Sequence, residues 1–335
     1  MVREEGLASV RLPVNHFAQS TAVTNVEVMH PNVAILLCTM QGQHYLCEQL
    51  DSILSQSHAS WSIWASDDGS DDGTPAILDN YQSRLGKSRL SICPGPAKGY
   101  VTNFLSLTCN ANITADYYAY ADQDDIWEAD KLARALEWLQ TVPSHVPALY
   151  CARTRNVDAN NKDIGFSPVF AKPPSFANAL VQSIGGGNTM VFNNAACHLL
   201  RLAGADVQVV SHDWWAYLVV SGCGGKVFYD HRPTVRYRQH DSNLIGTNNN
   251  WTARLVRAGM LFQGRFIGWS DKNIAALQRI RMHLTPENQR RLDEFSKARG
   301  SGLFARLAGM KRSGVYRQTL LGNLGLIAAV VFNKI

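Results

Sequence analysis

Nowhere in the 335 residues does an apolar run approach the roughly eighteen needed to cross a bilayer. The first twenty residues, MVREEGLASVRLPVNHFAQS, contain no continuous apolar stretch, which argues against a secretory signal, and residues 1–30 read as a flexible lead-in. There is no CxxC pair. The seven cysteines (Cys38, Cys47, Cys93, Cys109, Cys151, Cys197, Cys223) are odd in number and scattered, so neither a disulfide framework nor a cysteine zinc site is suggested. That usage fits a reducing, cytoplasmic setting, with most cysteines acting as small core residues. No internal repeat or low-complexity tract is present. Gly185-Gly186-Gly187-Asn188 lacks the following Lys-Ser/Thr of a phosphate loop and reads instead as a place of close backbone approach.

What is present is an ordinary globular composition, 46% hydrophobic and 18% charged, long enough for one large core or two modest ones. The charge is unevenly placed. From residue 251 onward there are 15 Lys+Arg and 4 Asp+Glu, a net of +11, against −6 for residues 1–250. A basic C-terminal segment on a mildly acidic body points to an anionic partner, nucleic acid or an anionic membrane face. No nucleic-acid-binding motif accompanies it.

The run NVAILLCT, residues 32–39, is apolar and branched and predicts a buried strand ending at Thr39-Met40-Gln41-Gly42. Tyr45, Leu46, Gln49, Leu50, Ile53 and Leu54 fall on one helical face. WSIWAS predicts a second strand, followed by the polar turn DDGSDDGT, then a helix that Thr74 caps and Pro75 opens. RLSICPG predicts a strand, VTNFLSLTCNA a helix, DYYAYADQDD a strand and residues 128–140 a helix. Strands alternating with helices over about 140 residues predict a mainly parallel three-layer α/β sheet. Ligands of such sheets bind at the carboxyl ends of the strands, so the clusters Thr39–Gly42, Asp67–Asp72 and Asp122–Asp125 are expected to converge. Residues 148–246 read as strand and loop elements that complete the sheet, and residues 251–335 as helices with Arg-rich faces.

Asp122, Asp124 and Asp125 crowd negative charge behind an aromatic strand. Oxygen ligands at that spacing suit Mg²⁺ or Mn²⁺, and equally suit the acidic start of a helix. Asp67 could accept from a nucleobase or ribose, or serve as plain turn chemistry. Asp213, in Ser211-His212-Asp213-Trp214-Trp215, could be a general base or a helix cap; the two indoles could face a sugar or fill the core. Arg236 and Arg238 could hold phosphates and His240 a metal, or His240 could be a hydrogen-bonded packing residue.

In this order and spacing, LLCTMQGQHYLCEQLDSILSQSH, WASDDGSDDGT, NFLSL, YAYADQDDIWEADKL, GGGNTMVFN, HDWWAYLVVSGCGGKVFYD and RYRQHDSNLIG resemble a family 2 glycosyltransferase of the nucleotide-sugar-binding GT-A fold. DQDDIW and HDWW…YRQH most resemble its bacterial rhamnosyltransferase-like branch. The resemblance spans about Val33 to Gly246 and implies a transferase domain over 31–250, with 251–335 a basic helical segment for packing or for a membrane surface. It places Thr39 and Gln41 against the nucleotide, Asp67 on the base and Asp122 near the ribose. Asp124 is then the metal ligand, with His240 completing the site, and Asp213 is the catalytic base. Trp214 and Trp215 would contact the acceptor. Met40-Gln41 stands where the family usually has Tyr-Asn, which puts a base-stacking contact at Met40 in doubt.

The expected reaction is metal-dependent transfer with inversion. L-rhamnose would pass from dTDP-L-rhamnose to a glycan or lipid-linked acceptor in bacterial surface polysaccharide synthesis, in the cytoplasm or at the inner face of the membrane. The alternatives are a UDP-hexose donor, or a nucleotidyltransferase making sugar nucleotides. The latter would carry a basic Gly-rich loop after the first strand, where this chain has TMQGQHYL. A glycan-binding protein could use the Trp pair but would not need the metal carboxylates.

Overall fold

The computed structural model describes residues 30–240 and 265–335. The lead-in expected at 1–30 and the RYRQH continuation past His240 therefore lie almost wholly outside the described residues. Pro31–Ile335 forms one compact unit.

Its centre is β1 (Val33–Thr39), buried at every position. A strand covered on both faces reads as a continuous apolar run, as VAILLCT does. β2 (Trp61–Asp67) and β4 (Tyr117–Asp122) flank it in parallel, and β3 (Leu90–Pro94) extends the parallel edge beyond β2. On the other side the sheet becomes mixed. β8 (Val191–Asn193) runs antiparallel between β4 and β6 (Ala148–Val157). β9 (Lys226–Arg238) is parallel to β6 and carries the short β5 (Ile126–Trp127) antiparallel on its outer edge, while β7 (Asp163–Phe166) pairs with β6. The β6–β9 register slips where β9 reads DHRP, because Pro233 has no N–H to give the ladder.

Alternation along β1 sorts the two cores. Val33, Ile35 and Leu37 face one way, against α1 (Leu46–Leu54), α2 (Thr74–Leu85) and α4 (Lys131–Leu139). Ala34, Leu36 and Cys38 face the other, against α3 (Tyr100–Cys109), α5 (Phe176–Ala179), α6 (Asn194–Leu202) and α7 (His212–Gly222). The second core also takes residues of α8 (Arg265–Arg279), α9 (Pro286–Arg299), α10 (Leu303–Ser313) and α11 (Leu320–Val331). The C-terminal helices thus share a core with the sheet, and the boundary expected at residue 250 separates no two bodies.

One cap differs from expectation. Thr74 lies inside α2, and Asp72 Oδ1 accepts from the Thr74 N–H at 2.9 Å; the Thr74 hydroxyl instead accepts from the Gly42 N–H at 2.7 Å, tying α2 to the loop after β1.

Candidate active site

Parallel pairing sets the carboxyl ends of β3, β2, β1 and β4 side by side. Pro94 pairs with Asp67, Asp67 with Thr39, and Cys38 with Asp122. Adjacent strands lie about 4.8 Å apart, so Asp67 and Asp122, two strands removed, stand about 10 Å apart along one edge. The three polar clusters do meet there.

The turn after β2 is internally satisfied. Asp67 Oδ1 accepts from Thr39 Oγ1 and Ser70 Oγ, each at 2.7 Å, and Oδ2 accepts from the Ser70 N–H at 2.8 Å. Thr39, expected against the nucleotide, is buried and orients Asp67 from behind, which corrects its role. Gln41 takes a left-handed backbone (φ 53°); its N–H donates to Ser70 Oγ at 2.8 Å and its side-chain amide pairs with Asp71. Buried Asp68 accepts from the N–H groups of Ala97 and Gly99 at 2.7 and 2.8 Å, fixing the entry to α3.

The turn after β4 behaves differently. Burial at the cleft floor, then the charges of Asp124 and Asp213, push the Asp122 carboxyl well above the usual carboxylate range. Asp125 is fully buried and also raised, first by burial and then by Asp124 and Asp122. It is a latch: Oδ2 accepts from Asn188 Nδ2 at 2.6 Å and Oδ1 from the Arg238 N–H at 3.2 Å. Asp124 is partly exposed, and its Oδ2 lies 2.9 Å from His240 Nε2. The His240 ring packs 4.9 Å from that of Tyr45. Two of the predicted metal-site residues are thus adjacent, although no group of three or more His, Cys, Asp or Glu positioned for a metal occurs among the described residues.

Gln123, not singled out in the sequence, clamps the two turns. Its Oε1 accepts from the Met40 N–H and its Nε2 donates to the Met40 carbonyl, both at 2.8 Å. Gly42 permits this, since a Cβ there would lie 2.3 Å from Gln123 Oε1. The Met40 side chain itself is exposed.

The arginines expected to hold phosphates are otherwise engaged. Arg236 makes a two-pronged pair with Glu128 at 2.9 and 3.3 Å. Arg238 is buried; it donates to the carbonyls of Asp124 (3.0 Å) and Ala159 (2.8 Å) and to Glu48 (2.5 Å), and lies over the Tyr45 ring. Its part is to brace the turn that carries Asp124. The triglycine stretch is a tight packing loop: a Cβ on Gly187 would lie 2.3 Å from His212 Nε2, and one on Gly186 2.6 Å from Asn188 Oδ1.

Asp213 sits in the first turn of α7, within the electrostatic reach of Asp122. Its Oδ1 accepts from Ser211 Oγ and, at 2.6 Å, from the Trp214 N–H. Among the described residues Oδ2 accepts no hydrogen bond. Tyr100, at the start of α3, joins the site. Its phenol is pushed up to about 12 by burial, then by Asp213 and Asp122. A Tyr following a Gly at a helix start was the only sequence signal for it.

Trp214 and Trp215 do not face a sugar. They are 8% and 0% exposed, and Trp214 Nε1 donates to the Ala179 carbonyl at 2.6 Å. The expected acceptor contacts are corrected: α7 is buried all round from Trp214 to Val220, so both indoles are core. His212 is core as well, stacked 3.8 Å from Phe104 and kept neutral, its pKa lowered to about 4 by burial.

A parallel sheet whose strand ends gather carboxylates, bordered by a helix that begins with another, forms a candidate ligand site at the carboxyl edge, and the fold is that of the GT-A class. Residues 34–188 match the family model Glycosyl transferase family 2; the chain carries a domain of that family and is a glycosyltransferase. The dTDP-rhamnosyl transferase RfbG of Shigella flexneri is 29% identical over 239 residues, 67% of this chain and 78% of that protein. Among solved structures, S. aureus TarS 1–349 in complex with UDP-GlcNAc has a TM-score of 0.50 at 13% identity, over 85% of this chain and 93% of that one. GalNAc-T7 with UDP, GalNAc and Mn²⁺ has a TM-score of 0.51 at 9% identity, over 86% and 56%. The two structures share the fold.

Proposed function

We propose that the protein transfers L-rhamnose from dTDP-L-rhamnose, with inversion, to a hydroxyl of a glycan or lipid-linked saccharide in bacterial surface polysaccharide synthesis. The likeness to the Shigella rhamnosyl transferase supports the donor. The observation that carries the chemistry is the unengaged Oδ2 of Asp213 beside the carboxylates at the β4 end.

A divalent cation fits this site. Burial, and then the charges of neighbouring carboxylates, push the Asp122 and Asp125 carboxyls up, a strain that a cation would relieve, and carboxylate with imidazole suits Mn²⁺ or Mg²⁺. Asp124 and His240 would hold it, with donor phosphate oxygens filling other positions. The cation supplies charge compensation for the departing nucleoside diphosphate. Asp67, fixed by Thr39 and Ser70, presents its carboxylate toward the base end of the cleft, and Asp122 lies nearer the ribose. Asp213 Oδ2 takes the acceptor proton while its other oxygen stays anchored to the helix start. One base acting opposite the leaving group gives direct displacement and an inverted anomeric centre. The proposed location is the inner face of the cell membrane; among the described residues no helix is long and apolar enough to cross it.

Thermal shift with dTDP-rhamnose, UDP-glucose, UDP-galactose and GDP-mannose, each with Mn²⁺ or EDTA, tests donor and metal together. A ligand that binds only the native state raises the melting temperature by mass action. Stabilisation by dTDP-rhamnose alone, lost with EDTA, is the expected result. Stabilisation by a UDP-sugar instead would move the donor to the UDP-hexose alternative, and an unchanged response in EDTA would remove the metal. A product that keeps the donor's anomeric configuration would contradict the single-base mechanism.

A further inference from the structure

α11 is apolar on two faces. Leu326, Ala329 and Val330 pack inward on the second core, and Leu326 and Ala329 line a narrow crevice with Trp214 and Phe266. Leu320, Leu324, Ile327 and Val331 face outward, 77%, 54%, 55% and 41% exposed. Their spacing of four, three and four residues makes one continuous stripe, where a surface helix ordinarily places charge. Arg306 Nη1 donates to the Val330 carbonyl at 2.7 Å and clips the early turns of α10 to the end of α11; those turns expose Phe304 (86%) and Leu307 (38%). An apolar surface of this kind marks an interaction site.

Charge selects the partner. Residues 301–335 contain five Lys+Arg and no Asp or Glu; Arg306 is buried and Arg312 pairs with Glu294 at 2.8 Å, while Lys311 is exposed. An anionic lipid surface complements it, and apolar stripe with basic surroundings is the pattern of an interfacial helix. The helix is about 18 Å long against a hydrocarbon thickness of about 30 Å, so it lies along the surface.

We infer that the outer face of α11, with the adjoining turns of α10, docks the protein on an anionic bilayer leaflet, and that the acceptor is a saccharide held in that leaflet by a lipid. The second half rests on the transferase reading above. Geometry joins the two: the inner face of α11 meets Trp214, the neighbour of Asp213, so about one helix diameter, roughly 10 Å, lies between the docking stripe and the turn that bears the base.

The test is flotation of the full-length chain with vesicles of phosphatidylethanolamine and phosphatidylglycerol, and with phosphatidylcholine alone. The wild type is compared with Leu324→Glu/Ile327→Glu, both at exposed positions. The wild type should float with the anionic vesicles and much less with the neutral ones, and the double variant should partition about a hundredfold more weakly with an unchanged melting temperature. Nucleoside diphosphate release with a water-soluble acceptor should be equal in the two proteins, and transfer to a vesicle-bound lipid-linked acceptor should fall in the variant. A wild type that stays at the bottom, a variant that floats as well, or a lipid-free dimer that the variant dissociates would each overturn the docking face. Flotation as expected with no sugar nucleotide turned over would leave the docking face standing and sink the transferase reading; turnover without flotation would do the reverse.

Discussion

Two aspartate-rich turns lie at neighbouring ends of the same sheet, DDGSDD after β2 and DQDD after β4, and they are electrostatic opposites. In the first, hydrogen bonds from Thr39, Ser70, Gln41, Gln43, Thr74, Ala97 and Gly99 reach all four carboxylates; burial raises the Asp72 carboxyl, and the bonds from Thr74 and Gln43 together outweigh it and hold the group below its ordinary range. In the second, carboxylates face one another, and Asp122 and Asp125 are driven toward the protonated form. Composition is nearly the same. The difference lies first in burial, deep for Asp122 and Asp125 and slight for Asp72, and then in the charges that neighbouring carboxylates add. The first turn is built, and the second is left needing positive charge.

The sharpest break of this contrast is a pair of substitutions. Asp124→Ala should cut turnover about a thousandfold, since the candidate metal loses a ligand, with no loss of stability because a repelling charge has also gone. Asp68→Ala should do the opposite. It leaves the Ala97 and Gly99 N–H groups unpaired, lowering unfolding free energy by about 3 kcal/mol, while turnover per folded molecule stays within about threefold. Urea titration beside a nucleoside diphosphate release assay separates them. Reversed results would mean that the β2 turn carries the chemistry.

A second test concerns the buried cation beside the β4 turn. Lys131 is fully buried over the Trp127 ring, its ammonium has no hydrogen-bond partner among the described residues, and burial lowers its pKa from 10.5 to about 7, opposed in part by Asp125. Between those values the unfolded chain binds the proton that the folded one has released. Stability therefore rises with pH through the window from about 7 to about 10.5, with a slope approaching one proton. Lys131→Met removes that slope and is the more stable protein near neutrality. The readout is the difference in melting temperature between the two proteins, followed from pH ~7 to ~9, where the tyrosines stay neutral. A constant difference would mean that Lys131 keeps its charge through an interaction stronger than Asp125 provides.

The alternation of the first 140 residues made the parallel half of the fold legible, and with it the convergence of acids at one edge. VAILLCT could be read as a central strand because both faces had to be covered. What failed shares a physical reason: the partner lies far away in the chain. Arg238 reaches Glu48 across 190 positions, and nothing local separates such a brace from a phosphate-binding arginine. Thr39 was recognised by position, yet its hydroxyl is buried and engaged by a carboxylate 28 positions on. The Trp pair did carry a usable signal. AYLVVSG follows it with no polar face, which describes a helix buried on all sides rather than one presenting indoles to a sugar. For α11 the run LGLIAAVV announced a helix but could not say which side the core would cover.

The mildest perturbation asks whether the two turns act as one unit. Gly42→Ala would put a Cβ 2.3 Å from Gln123 Oε1, the far end of a flexible side chain, so the amide swings away and gives up both 2.8 Å bonds to the Met40 backbone. These bonds are solvent-accessible, and stability should fall by about 1 kcal/mol or less. The larger consequence falls on ligand geometry, because the Met40 loop borders the proposed nucleotide side and Gln123 sits between Asp122 and Asp124. KM for the sugar nucleotide should rise about threefold with kcat held within about twofold, the pattern of lost uniform binding. Gln123→Ala should give the same change, and the double variant no more than either single one, since both remove one clamp. Additive effects would show that the loop after β1 and the turn after β4 bind the donor independently, and the contrast between the two acidic turns would then hold for electrostatics but not for function.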